Sequence, residues 1–71
     1  MNNLTFQLDD QEYIQLNNLL KVTHLVSTGG EANIRIDNGE VKVNNAVETQ
    51  RRKKLRVGDK VVFGKNTINV V

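Results

Sequence analysis

Seventy-one residues with no cysteine, one histidine and a formal net charge of +2 make a single domain, residues 1–71, near the lower limit at which an apolar core holds a chain together without disulfides or metal. A disulfide framework and a thiolate metal cage are excluded, and His24 alone builds no metal site, so neither metal nor cofactor is expected. The charge is lopsided: residues 1–34 carry one base against four acids, a balance of −3, whereas residues 35–71 carry nine bases against four acids, a balance of +5, and it is the local potential that steers a polyanion.

Along the chain, LTFQL alternates apolar and polar through Leu4, Phe6 and Leu8, the period of a half-buried strand. Asp9 and Glu12 stand at N-cap and N3 spacing, and Leu16, Leu19 and Leu20 recur at helical intervals, with Tyr13 and Ile14 nearby. The pattern predicts a first helix over residues 10–22. Thr28-Gly29-Gly30-Glu31 fits a capping box, with the threonine hydroxyl accepting from the N3 amide and the glutamate returning to the N-cap amide. This second helix places Ala32 and Ile36 on one face and ends near Asn38, with Gly39 as the left-handed residue beyond it. Ile34 points about 180° from that face.

After Gly39 the apolar period becomes two. Val41, Val43 and Val47 flank Asn44-Asn45, a pair that tolerates positive φ and predicts a tight hairpin. VGDK reads as a turn, and KVVFGKNTINVV as two strands joined through Gly64-Lys65-Asn66. The layout is strand, helix, helix and then about four short strands, an α+β domain.

Between Leu16 and Phe63, LNNLL, a serine-containing loop leading into a helix with EA, NGEVKVNN and LRVGDKVVF follow one another. That order resembles the S-four RNA-binding domain, and STGGEANIRI with VETQRRKKLRVGD is similar to its small stand-alone bacterial subfamily. The resemblance implies two short helices, the αL motif, packed on a small bent, mostly antiparallel sheet of about four to five strands. It also implies binding of structured RNA in a ribosomal or transfer RNA context, by a ribosome-associated protein. The family reads RNA with the loop before the second helix, the polar side of that helix and the strand after it. Here those slots hold Ser27, Thr28, Gly29, Gly30, Asn33, Ile34, Glu40, Lys42 and Asn44. Where the broader family commonly carries arginines, this chain has Thr28, Asn33 and Ile34. Arg35, Lys42 and the run Arg51-Arg52-Lys53-Lys54 are the cations available to replace them.

Four cations in a row can neutralise several phosphates with release of counterions, and arginine's planar fork also bonds phosphate in a bidentate way. The competing reading of that run is a solvated loop whose charge protects a sheet edge. The start of the second helix can receive a phosphate on free amides or be only a cap, and no Walker lysine follows it. Ser27 and His24 lack a third group to orient a base, so no nucleophilic site is expected, and the chain is read as no enzyme, with no small-molecule substrate. Apolar runs of two or three residues span no bilayer, and MNNLTFQLDD lacks the charge and apolar pattern of a signal peptide. A cytoplasmic, monomeric RNA-binding protein is therefore expected. The alternative is a module that docks on a ribosomal or acidic protein through an apolar patch, with Ile34 and Val70-Val71 as candidates.

Overall fold

The computed structural model describes residues 2–71, and two helices and seven strands run in the order β1 (Asn2–Phe6), β2 (Ile14–Gln15), α1 (Leu16–Val22), α2 (Gly29–Asp37), β3 (Val41–Val43), β4 (Ala46–Val47), β5 (Lys54–Leu55), β6 (Lys60–Phe63) and β7 (Asn66–Val70). Five strands form one sheet in the order β1-β7-β6-β3-β4, and β2 and β5 form a separate ribbon. All pairings are antiparallel except β1 with β7, where the two ends of the chain lie side by side from Asn2–Asn66 to Phe6–Val70. The expected α+β class and mostly antiparallel sheet are what the molecule has.

The alternation of valines has the effect read from it. Val41 and Val43 are buried and Lys42 between them is exposed. Asn44 and Asn45 both hold positive φ, 51° and 73°, as a two-residue hairpin with the native strand twist requires. The helices bury Leu16, Leu19 and Leu20 on one side and Ala32 and Ile36 on the other against Val41, Leu55, Val61, Ile68 and Val70. Each fully buried Leu or Ile contributes about 1.5–3 kcal/mol relative to exposure, and a chain this short depends on every one.

Both helices end in the same way. The Gly39 N–H donates to Ile36 and the Glu40 N–H to Arg35, and Gly39 has φ +76°: a Schellman motif with glycine in the left-handed place. At the end of α1 the His24 N–H donates to Lys21 and the Leu25 N–H to Leu20, but the left-handed residue is His24, φ +62°.

The first helix is shorter than its apolar spacing implies. It begins at Leu16 rather than at residue 10, because Ile14 is an extended residue paired with Leu55 and Asp9 is left-handed, φ +57°, outside any cap. Gln15 occupies the N-cap without a side-chain bond. The first amides of α1 are satisfied from elsewhere, Leu16 by the carbonyl of Lys53 at 2.9 Å and Asn17 by that of Arg51 at 3.0 Å. Val70, expected in a surface patch, is 1% exposed and belongs to the core, whereas Val71 and Ile34 are exposed.

Candidate functional site

The loop before α2 is held by its own cap. Thr28 Oγ1 accepts from the Glu31 N–H at 3.1 Å, and the returning Glu31 Oε1 accepts from the Ser27 N–H at 2.9 Å, one residue earlier than the simplest capping box. Gly29 and Gly30 lie in the first turn, whose amides have no acceptor inside a helix. Along α2, Asn33 Oδ1 accepts from the Asn17 side chain at 3.1 Å and clips the helices together. Arg35 lies between two carboxylates, Glu40 at 3.2 Å and Glu31 at 3.7 Å. Ile34 stands out at 60% exposure.

Of the residues on the strand that follows, Lys42 is exposed between two buried valines. Asn44 is committed to the fold: its Oδ1 accepts from the Lys60 N–H at 3.0 Å and its Nδ2 donates to Asp59 at 2.9 Å. Asp59 also accepts from the Arg56 N–H at 2.8 Å. Partial burial pushes its carboxyl up, but the Arg56 N–H, the Asn44 amide and the charges of Lys53 and Arg56 together hold it below its ordinary 3.8.

The basic run divides into parts with different work. Its backbone faces inward, with the Arg51 and Lys53 carbonyls on the positive end of α1, where partial negative charge is favoured. Arg51 reaches the last residue of α2, donating through Nε to Asp37 Oδ1 at 3.0 Å and through a second nitrogen to Oδ2. That fork holds the Asp37 carboxyl below its ordinary value, and Asp37 in turn raises the Arg51 guanidinium. Arg52 and Lys54 are exposed and Lys53 half-buried. Lys54 Nζ lies 5.0 Å from the centre of the Tyr13 ring and the Arg56 guanidinium 5.8 Å from it. Among the described residues no cluster of His, Cys, Asp and Glu is placed to hold a metal ion, and no helix is long and apolar enough to cross a membrane.

A family profile for the S4 domain matches residues 6–71. This chain belongs to the S4 domain family. Curated relatives that are 39% identical over 67 residues, covering 94% of this chain and 96% of theirs, are "Putative RNA-binding protein YbcJ" of Escherichia coli K12 and the uncharacterized YbcJ of Shigella flexneri. The solution structure of E. coli YbcJ, described as revealing an αL motif involved in RNA binding, superposes with a TM-score of 0.76 at 38% identity, over 100% of this chain and 90% of that one.

Within this S4 domain the candidate residues therefore fall in two groups. Ser27, Thr28, Gly29 and Gly30 sit at the start of α2, while Arg51, through Asp37, fixes the cationic loop at its end; nine residues of helix separate them by about 13 Å. Asn33, Arg35, Asn44 and Arg51 already have partners within the fold, whereas Lys42, Arg52, Lys53 and Lys54 form no ion pair among the described residues. Tyr13 and Arg56 are absent from the sequence-based set. They come together because β2 and β5 pair, and strands of two residues leave no periodic signal.

Proposed function

We propose that this S4 domain, residues 1–71 acting as one non-enzymatic unit, binds a folded segment of RNA in a ribosomal or transfer RNA setting, as a cytoplasmic monomer. Arg52, Lys53, Lys54 and Lys42 neutralise phosphates, while the loop Ser27–Gly30 and the polar side of α2 orient the RNA. Arg51, Arg35, Asn33 and Asn44 hold that surface in shape. The observation that carries this reading is the docking of the basic loop: its carbonyls on α1 and Arg51 on Asp37 fix its backbone and leave Arg52 and Lys54 exposed and Lys53 half-buried. A loop that merely shields a sheet edge needs no such anchoring, and β5 pairs only with β2 in a ribbon outside the main sheet. The YbcJ relative and its αL motif support the same reading.

Crosslinking the protein in cells and sequencing the attached RNA tests it. Recovery of ribosomal or transfer RNA segments at defined positions is the expected result. Recovery of protein crosslinks alone would favour the docking module, for which Ile34 at 60% and Val71 at 46% exposure are the supporting observation.

A further inference from the structure

The β2–β5 ribbon has a core face and an outer face. Ile14 pairs with Leu55 and Gln15 with Lys54; Ile14 and Leu55 are buried at 6% and 0%. Because side chains alternate, the other face carries Gln15 and Lys54, and extending the register by one residue sets Tyr13 opposite Arg56. The two cations consequently lie over the tyrosine ring. Beside that ring opens a cleft of about 690 Å³, with Phe6, Tyr13 and Val22 among its apolar walls and Glu12, Gln15 and Asn18 among its polar ones.

We infer that this cleft is a binding site for a single unpaired purine nucleotide of the RNA, with guanine the base that fits best. The proposal rests on the RNA-binding reading above and gives it a second contact, apart from α2. The volume lies within the range of small-molecule sites, about 300–1,000 Å³. An aromatic wall offers a base a stacking surface. Lys54 and Arg56 stand over the same ring, placed to meet the nucleotide's phosphate, and Lys54 continues directly from Arg52 and Lys53, so a strand held on the loop has its next residue delivered to the cleft. The Glu12 carboxylate only accepts hydrogen bonds and matches the paired N1–H and N2–H donors of guanine. Gln15 and Asn18 offer amides to the remaining polar atoms of the base.

The test uses the intact chain and three ligands: GMP, a blunt RNA hairpin, and the same hairpin with one unpaired 3′ guanosine. GMP is expected to shift the backbone amide resonances of residues 11–18 and 54–56, more strongly than CMP does, and the unpaired guanosine to tighten hairpin binding about tenfold. Tyr13→Ala removes both effects and leaves binding of the blunt hairpin as it was. Glu12→Gln, at an exposed side chain outside the core, removes the preference for GMP over CMP with the amide spectrum otherwise native. If the blunt hairpin binds, but the overhang adds nothing and GMP moves no cleft resonance, the site is overturned while the RNA-binding reading stands. If neither hairpin binds, that reading falls, and the GMP titration decides the cleft by itself. A cleft that ignores GMP and responds to an apolar peptide is a protein-docking site, which also overturns the proposal.

Discussion

Arg51 and Asp37 join two parts of the molecule that the chain order keeps apart, the guanidinium of the basic loop grasping the carboxylate that ends α2. Both side chains are exposed, so the pair contributes little to global stability, and its effect is on the position of the loop. Asp37→Ala is therefore expected to leave the melting temperature nearly unchanged while residues 50–53 gain mobility. Faster amide hydrogen exchange at Leu16 and Asn17, whose acceptors are the carbonyls of Lys53 and Arg51, would report it. Unaltered exchange would show that those backbone bonds hold the loop without the fork.

Acid should expose the work of a second carboxylate, Asp59, which accepts from the Asn44 side chain and the Arg56 N–H. Asp59 has a folded-state pKa held below its ordinary 3.8, so in the window just below 3.8 the unfolded chain binds more protons than the native one, and stability falls with pH there. The contribution is complete above the unfolded value and is lost as pH drops through the folded one. In Asp59→Asn that loss disappears. Melts at about pH 6 and about pH 3 should show the advantage of the wild type over Asp59→Asn shrinking toward acid; a constant difference would assign the effect to hydrogen bonding alone.

The two helix ends make a matched experiment. Gly39 and His24 occupy the same left-handed position of the same motif, but a residue with a Cβ is strained there by about 1–2 kcal/mol. His24→Gly should stabilise the domain by about 1 kcal/mol, less the entropy that glycine adds to the unfolded chain. Gly39→Val should cost about 1–3 kcal/mol. A Cβ at Gly39 would meet Val47 Cγ1 at an ordinary 3.6 Å, so crowding is not the cause. In a domain of this size each kilocalorie moves the melting temperature by about 4–8 °C, and shifts of the same sign in both variants would refute the shared geometry.

These helix ends also mark how far the sequence can be read. The second helix was legible from Thr28 and Glu31 to Gly39 because both its signals are local, a side chain bonding within one turn and a glycine where φ is positive. The Asn44-Asn45 hairpin was legible for the same reason. The first helix was legible in its leucines and its end at Val22 but not in its start: its opening amides are capped by carbonyls of residues 51 and 53, and no pattern near Asp9 encodes a partner so distant along the chain. The site divides likewise. Composition marks the run 51–54 as cationic, but only the tertiary structure distinguishes Arg51, turned onto Asp37, from Lys54, laid over the Tyr13 ring, and from Arg52, exposed and outside any ion pair among the described residues. Tyr13 with Arg56 depends wholly on the register of β2 against β5.

That division changes what salt should do to RNA binding. If Arg52, Lys53 and Lys54 contact phosphates and Arg51 is held by Asp37, replacing the three free cations by alanine should reduce the slope of log K against log salt by roughly 0.7–0.9 per lost contact. Binding should weaken on every RNA tested, since phosphate contacts carry no sequence information. The fold should survive, because none of the three contributes a core side chain and the backbone bonds of the loop to α1 do not involve their charges. Arg51→Ala alone should leave the slope nearly intact and change affinity only through the position of the loop. A run that served edge protection would give the reverse: slope and affinity unchanged, and a triple variant that associates through newly uncharged strands. Salt titrations of all three proteins, with light scattering alongside, distinguish the two. A soluble, folded triple variant that keeps the wild-type slope would remove the loop from the interface and leave Lys42 and the start of α2 to account for any affinity.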